Sequence, residues 1–116
     1  KMENAVKDLI NALLVPSEKG NALYFSRSAI PFIRNSERQN WLHGNTFYKH
    51  IGLYGYRIET LLDLIKLNPT PLEQAESLEQ LRWLENGYTI KLAETSSESL
   101  SVDTPEDLER ANKFSI

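Results

Sequence analysis

The sequence predicts an α/β fold in which a few short strands alternate with helices, and three features point to it. Residues 70–86 and 102–111 both begin with the start grammar of a capped helix, Thr-Pro followed by an acid. Residues 22–28, 50–57 and 88–94 carry the aromatic and β-branched density of short strands. Apolar residues between these runs recur at helical spacing. About three strands are visible, few for a complete open sheet.

Along the chain, Met2, Val6, Leu9, Ile10, Leu13 and Leu14 fall at helical intervals, so the spacing predicts an amphipathic helix over 2–15, stopped by Pro16 and a turn over 17–20. ALYFSRS then reads as a buried strand with Arg27 at its downstream end. Residues 35–45 are polar and turn-rich, a loop for which Trp41 is the natural anchor. HIGLYGYR follows as a strand over 50–57. A helix over 58–67 carries Leu61, Leu62, Leu64 and Ile65 and stops at Asn68 and Pro69. One continuous helix is expected from Thr70 to about Asn86, with Thr70 as N-cap, Pro71 at N1 and Glu73 as the acid of a capping box. YTIKLAE alternates as a half-buried strand, 95–101 is a serine-rich loop, and Thr104 and Pro105 open a last helix.

Composition narrows the function classes. The chain has 116 residues, 41% of them hydrophobic and 25% charged, which suits one globular domain. A net charge of -3 without a Lys/Arg cluster gives no footprint for nucleic acid. No apolar run approaches the roughly 20 residues that span a bilayer. The absence of cysteine excludes disulfides and thiolate sites and fits a reducing cytosol. With only His43 and His50 as imidazoles, a metal would be a hard, oxygen-bound ion. The chain begins at Lys1, ahead of Met2, an order that suggests a tag remnant, a processed product or a piece of a longer protein.

Candidate site residues arise from pattern. On a strand over 50–57, His50, Gly52, Tyr54 and Tyr56 share a face, and Gly52 leaves a gap between an imidazole and a phenol that can exchange hydrogen bonds with a polar ligand such as a sugar. The same residues also fit half-buried packing with satisfied polar tips. On a helix over 70–86, Glu79 falls on the arc of Leu72, Ala75 and Trp83, where it is either an acid aimed beside apolar neighbours or a surface partner of Arg82. Asp103, before the last helix, is either a carboxylate offered to a divalent cation or an exposed turn residue.

LYFSRS followed by IP, HIGLYGYR, PLEQAESLEQLRWLENG and VDTPEDLER resemble, in this order, the C-terminal half of the bacterial 3-deoxy-manno-octulosonate (Kdo) cytidylyltransferases. The likeness runs from Asn21 to about Phe114. It implies a partial nucleotide-diphospho-sugar transferase fold, Rossmann-like with a mixed sheet, and a single incomplete domain over 1–116. It also implies the transfer of CMP from CTP to Kdo with release of pyrophosphate, for lipopolysaccharide assembly in the cytoplasm, with Mg2+ and a homodimeric parent. By the same resemblance Arg27 lies near the sugar carboxylate, His50 and Tyr54 face the sugar, Glu79 and Gln80 read its hydroxyls, and Asp103 binds magnesium. The sugar hydroxyl would attack the α-phosphate in line with departing pyrophosphate, a step of positioning and charge neutralisation with no covalent nucleophile.

The family's nucleotide-binding segments, an IPAR-type loop, a triphosphate lysine and a QGDEP-type run, do not occur in these 116 residues. The five glycines are too scattered for a phosphate loop. The expectation is therefore that this chain alone does not turn over. Two further readings stand beside it: a cytidylyltransferase for another acidic sugar of the sialic acid type, and a non-catalytic sugar-binding or dimerisation module.

Overall fold

In the computed structural model of the chain, residues 12–96 and 105–113 are described. Strand β1, Leu13–Pro16, is the centre of a three-stranded sheet, flanked by β2, Ala22–Ser26, and β3, Tyr48–Lys49. Both pairings are antiparallel, with Leu14 opposite Phe25 on one side and Tyr48 on the other. Helices follow: α1 at Ile58–Leu64, α2 at Pro71–Glu76, α3 at Gln80–Glu85 and α4 at Pro105–Lys113.

The first departure from the sequence pattern is β1. The helix expected over 2–15 is a strand from Leu13 onward, and residues 2–11 lie outside those described. A central strand is buried on both faces, so its residues form an unbroken apolar run, which a helical count reads equally well. Ala12, Leu13 and Leu14 are all buried. The turn at 17–20 closes the β1–β2 hairpin: the Gly20 N–H donates to the Ser17 carbonyl and the Ser17 N–H to the Asn21 carbonyl. Gly20 sits at φ +80°, a conformation costly for residues bearing a Cβ.

Residues 50–57 are the second correction. Pairing ends at Lys49, and after the His50 N–H reaches the Ala12 carbonyl the chain leaves the sheet. The Leu53 N–H then bonds the Ile51 carbonyl at 2.8 Å, a three-residue turn that strand geometry does not allow. Residues 88–94 also fall short of a strand, meeting the start of β2 through one bridge, Asn21 with Lys91, and the bonds Ala22 N–H to Ile90 O and Leu92 N–H to Gly20 O.

The continuous helix expected over 70–86 is two helices. Helix α2 closes at Ser77, whose φ of 54° is left-handed, and the Leu78 N–H returns to the Glu73 carbonyl. That is the hydrogen bonding of a helix end, with buried Leu78 as its apolar plug. The sheet and the second helix pair share one core of Ala12, Leu14, Ala22, Phe25, Leu78 and Leu81, against which Tyr24, Tyr48, Leu84, Ile90 and Leu92 pack. Trp41 anchors the 35–45 loop as expected, buried between Phe32 edge-on and Phe47 stacked, with its Nε1–H donating to the Ser36 carbonyl.

Candidate functional site

Two recesses meet on one side of the molecule. A cleft of about 200 Å3 is lined by Tyr54, Tyr56, Glu79, Gln80 and Trp83, with Leu61 and Leu64 of α1 and Ile65 just past it as its apolar wall. It adjoins a broad open groove that Arg27, His50 and Tyr54 also line. Sequence positions some 25 residues apart are thus brought together, and Tyr54 belongs to both recesses.

The geometry around Tyr54 differs from a gap. His50 Nε2 and Tyr54 Oη share a hydrogen bond of 2.5 Å, so the two rings touch across Gly52, which is exposed. Behind His50 stands Phe25 of the core, edge-on at 5.2 Å. Ahead of it Tyr54 and Tyr56 stack on each other, and Trp83 presents its ring at near right angles to both, at 5.2 and 5.7 Å. Aromatic rings therefore run in contact from core to cleft. Burial pushes the His50 pKa down, which keeps the imidazole neutral near pH 7. Burial also pushes the Tyr54 phenol up to about 12, with the Tyr56 and Glu79 charges adding to it.

Glu79 reaches the cleft by a route that the helical arc does not describe. Because α2 ends at Ser77, Glu79 is the residue before α3, exposed at the cleft mouth, and Gln80 is the first residue of α3, 6% exposed. Gln80 Nε2 is buried with no hydrogen-bond partner among the described residues. Arg82 does not pair with Glu79. It grips Glu73 with two nitrogens, Nε to Oε1 at 2.8 Å and Nη2 to Oε2. Glu73 in turn accepts the Thr70 N–H at 3.1 Å, the acid half of the expected capping box. The bonds from Arg82, opposed by burial and reinforced by Thr70, hold the Glu73 carboxyl below its usual range.

Arg27 lines the groove while two of its nitrogens bond the chain: Nε donates to the Glu76 carbonyl at 2.6 Å and Nη2 to the Ser77 carbonyl at 2.8 Å. Opposite it is Glu76, a residue that sequence reasoning passed over. Its carboxylate accepts from Tyr24 Oη at 2.8 Å, Ser26 Oγ at 2.8 Å and the Arg27 N–H at 2.9 Å. Burial raises the Glu76 pKa, but these donors and the Arg27 charge outweigh it and hold the carboxyl ionised. A glutamate at the end of a short helix, PLEQAE, carries no sequence signal for this role. Asp103 lies outside the described residues. Among those described, no three His, Cys, Asp or Glu side chains gather to hold a metal, and no helix is long and apolar enough to cross a membrane.

A sheet backed by helices, with an aromatic and apolar cleft that carries a few polar groups, is the setting of a small-molecule site. The family model described as Cytidylyltransferase matches residues 1–95, and the chain belongs to that family. The match takes in residues 1–20, which the motif resemblance left out. Curated relatives include proteins named 3-deoxy-manno-octulosonate cytidylyltransferase from Phocaeicola vulgatus and Bacteroides thetaiotaomicron, each 54% identical over 95% of this chain and 44% of the relative. A protein of the same name from Geobacter metallireducens is 50% identical over 89% of this chain and 44% of its own length. A solved structure of CMP:2-keto-3-deoxy-manno-octonic acid synthetase complexed with CTP superposes with a TM-score of 0.77 at 38% identity, over 90% of this chain and 41% of that one. The chain thus spans less than half the length of the relatives it matches.

Proposed function

We propose that this chain is the sugar-binding half of a Kdo cytidylyltransferase, a single incomplete domain whose complete protein transfers CMP from CTP to Kdo and releases pyrophosphate for lipopolysaccharide assembly. The observation that carries the reading is the cleft where Tyr54, Glu79 and Gln80 converge beside Trp83. Tyr54 and Glu79 offer a phenol and a carboxylate acceptor, groups suited to sugar hydroxyls, and Gln80 lines the same cleft with its amide nitrogen buried and unpartnered among the described residues. The names of the relatives and of the solved structure support both substrates.

In this reading the neutral His50 orients the Tyr54 hydroxyl, Glu79 and Gln80 hold the sugar, and the Arg27 charge in the adjoining groove favours an acidic substrate. Magnesium, the divalent ion proposed for the complete enzyme with Asp103 as one ligand, would neutralise phosphate charge. One carboxylate is not a site, and the described residues add no cluster to it, so no step here runs through the metal. We place the reaction in the cytoplasm, and self-association as a homodimer would cover exposed Ile58 and Leu62.

The test is pyrophosphate release from CTP with magnesium and Kdo, against a sialic acid control, by the intact gene product and by these 116 residues alone. Kdo-dependent release from the intact product, with none from the 116 residues alone, is the expected result. Release with the sialic acid and not with Kdo overturns the sugar assignment.

A further inference from the structure

We propose that Glu76 is a positioning residue that sets the break between α2 and α3, and through that break the placement of Glu79 and Gln80 in the cleft. The inference rests on the proposed sugar site and adds a residue to it that does not touch the cleft.

In an unbroken helix, the Glu76 and Ser77 carbonyls would accept the N–H groups of Gln80 and Leu81 four residues on. Here they accept Arg27 Nε and Nη2 instead, and the Leu81 N–H goes to the Leu78 carbonyl. Arg27 can stand in for the helix only if its backbone is held in place. That is what the Glu76 carboxylate does, taking the Arg27 N–H and the hydroxyls of Tyr24 and Ser26 at the end of β2. The exchange is reciprocal: the glutamate side chain binds the strand end, and the arginine side chain binds the helix end.

Helix propensity opposes this arrangement, since Ser77 is held at φ 54° and no glycine or proline interrupts 72–86. The break therefore depends on its tertiary bonds. Two and three residues past it stand Glu79, at the cleft mouth, and Gln80, which is buried and lines the cleft. Were the helix to continue, 79–85 would follow the axis of α2, and Glu79 and Gln80 would lose their present placement against Tyr54.

The test replaces Glu76 by Gln, Asp and Ala in the intact gene product and measures half-saturation for Kdo and for CTP, together with amide exchange over 77–81. Expected are a Kdo constant raised roughly 10- to 100-fold in Glu76→Ala with the CTP constant unchanged, partial recovery in Glu76→Asp, and altered exchange at Gln80 and Leu81. An unchanged Kdo constant, or equal losses for both substrates, overturns the proposal. Should the unaltered protein show no response to Kdo, it is the proposed function that has failed. The role of Glu76 is then decided by exchange, and unaltered protection over 77–81 in Glu76→Ala overturns it.

Discussion

His50 and Tyr54 are joined side chain to side chain at 2.5 Å, four residues apart on a segment that has already left the sheet. The bond links a core-facing imidazole to a cleft-facing phenol, so its loss is felt in stability and in titration. Because burial lowers the folded pKa of His50 below its ordinary 6.5, the unfolded chain takes up the proton first as pH falls. This contribution is complete above pH 6.5 and is lost between 6.5 and the folded pKa. Thermal melts of His50→Asn are expected to show a flatter pH dependence just below 6.5. Tyr54→Phe should cost about 1 kcal/mol and remove a phenol whose pKa burial pushes up to about 12, a loss that ultraviolet absorbance at high pH follows.

Replacing Gln80 by Leu separates fold from function. A buried amide nitrogen without a partner carries a desolvation cost that a leucine of similar volume does not. Gln80→Leu is therefore expected to leave the melting temperature unchanged or raise stability by about 1 kcal/mol, while sugar binding by calorimetry weakens. A large loss of stability would mean that the amide has a structural partner.

Ser77 holds a left-handed conformation for which glycine is the natural occupant. Ser77→Gly gives up some chain entropy and relieves about 1–2 kcal/mol of steric cost, a net gain of up to about 1 kcal/mol. Ser77→Val, branched at Cβ, should lower the denaturant midpoint instead. Equal midpoints for the two variants would contradict the left-handed turn.

Glu73 and Arg82 act as a unit, since Nε and Nη2 of the guanidinium both fall on the one carboxylate while Nη1 donates to the Leu67 carbonyl at 3.4 Å. The double variant Glu73→Gln with Arg82→Met should lose no more stability than either single change, a non-additivity that a double-mutant cycle reads directly. The Glu73 pKa is held below its ordinary 4.5, so the contribution is present above pH 4.5 and fades as pH falls through the folded value. Acid unfolding of Glu73→Gln should accordingly be shallower below pH 4.5.

Legibility in the sequence followed the range of the forces. The start at Thr70, with Glu73 as the acid of its capping box, and the anchoring of Trp41 were readable because each depends on near neighbours, whereas α1 ends at Leu64 and not at the Leu67 expected before Asn68 and Pro69. Strand β1 was not, since LLV suits a central strand and a helix alike and its partners decide. The break at Ser77 was invisible for a related reason: Arg27, about fifty residues earlier, satisfies the carbonyls there. His50, Tyr54, Glu79 and Gln80 were picked out by face, by arc and by family letters. Tyr54, Glu79 and Gln80 do meet in one cleft, but the strand and the continuous helix invoked to bring them together are absent.

The clamp at Glu76 also has a consequence in time. The β1–β2 hairpin closes over a handful of residues, whereas Tyr24, Ser26 and Arg27 meet Glu76 only after some fifty intervening residues have been looped out. Loop closure of that length is the costlier event, so the hairpin can form early and the Glu76 contacts late. Mutations at Glu76 would then speed unfolding and leave the refolding rate nearly untouched, making the clamp a latch on kinetic lifetime.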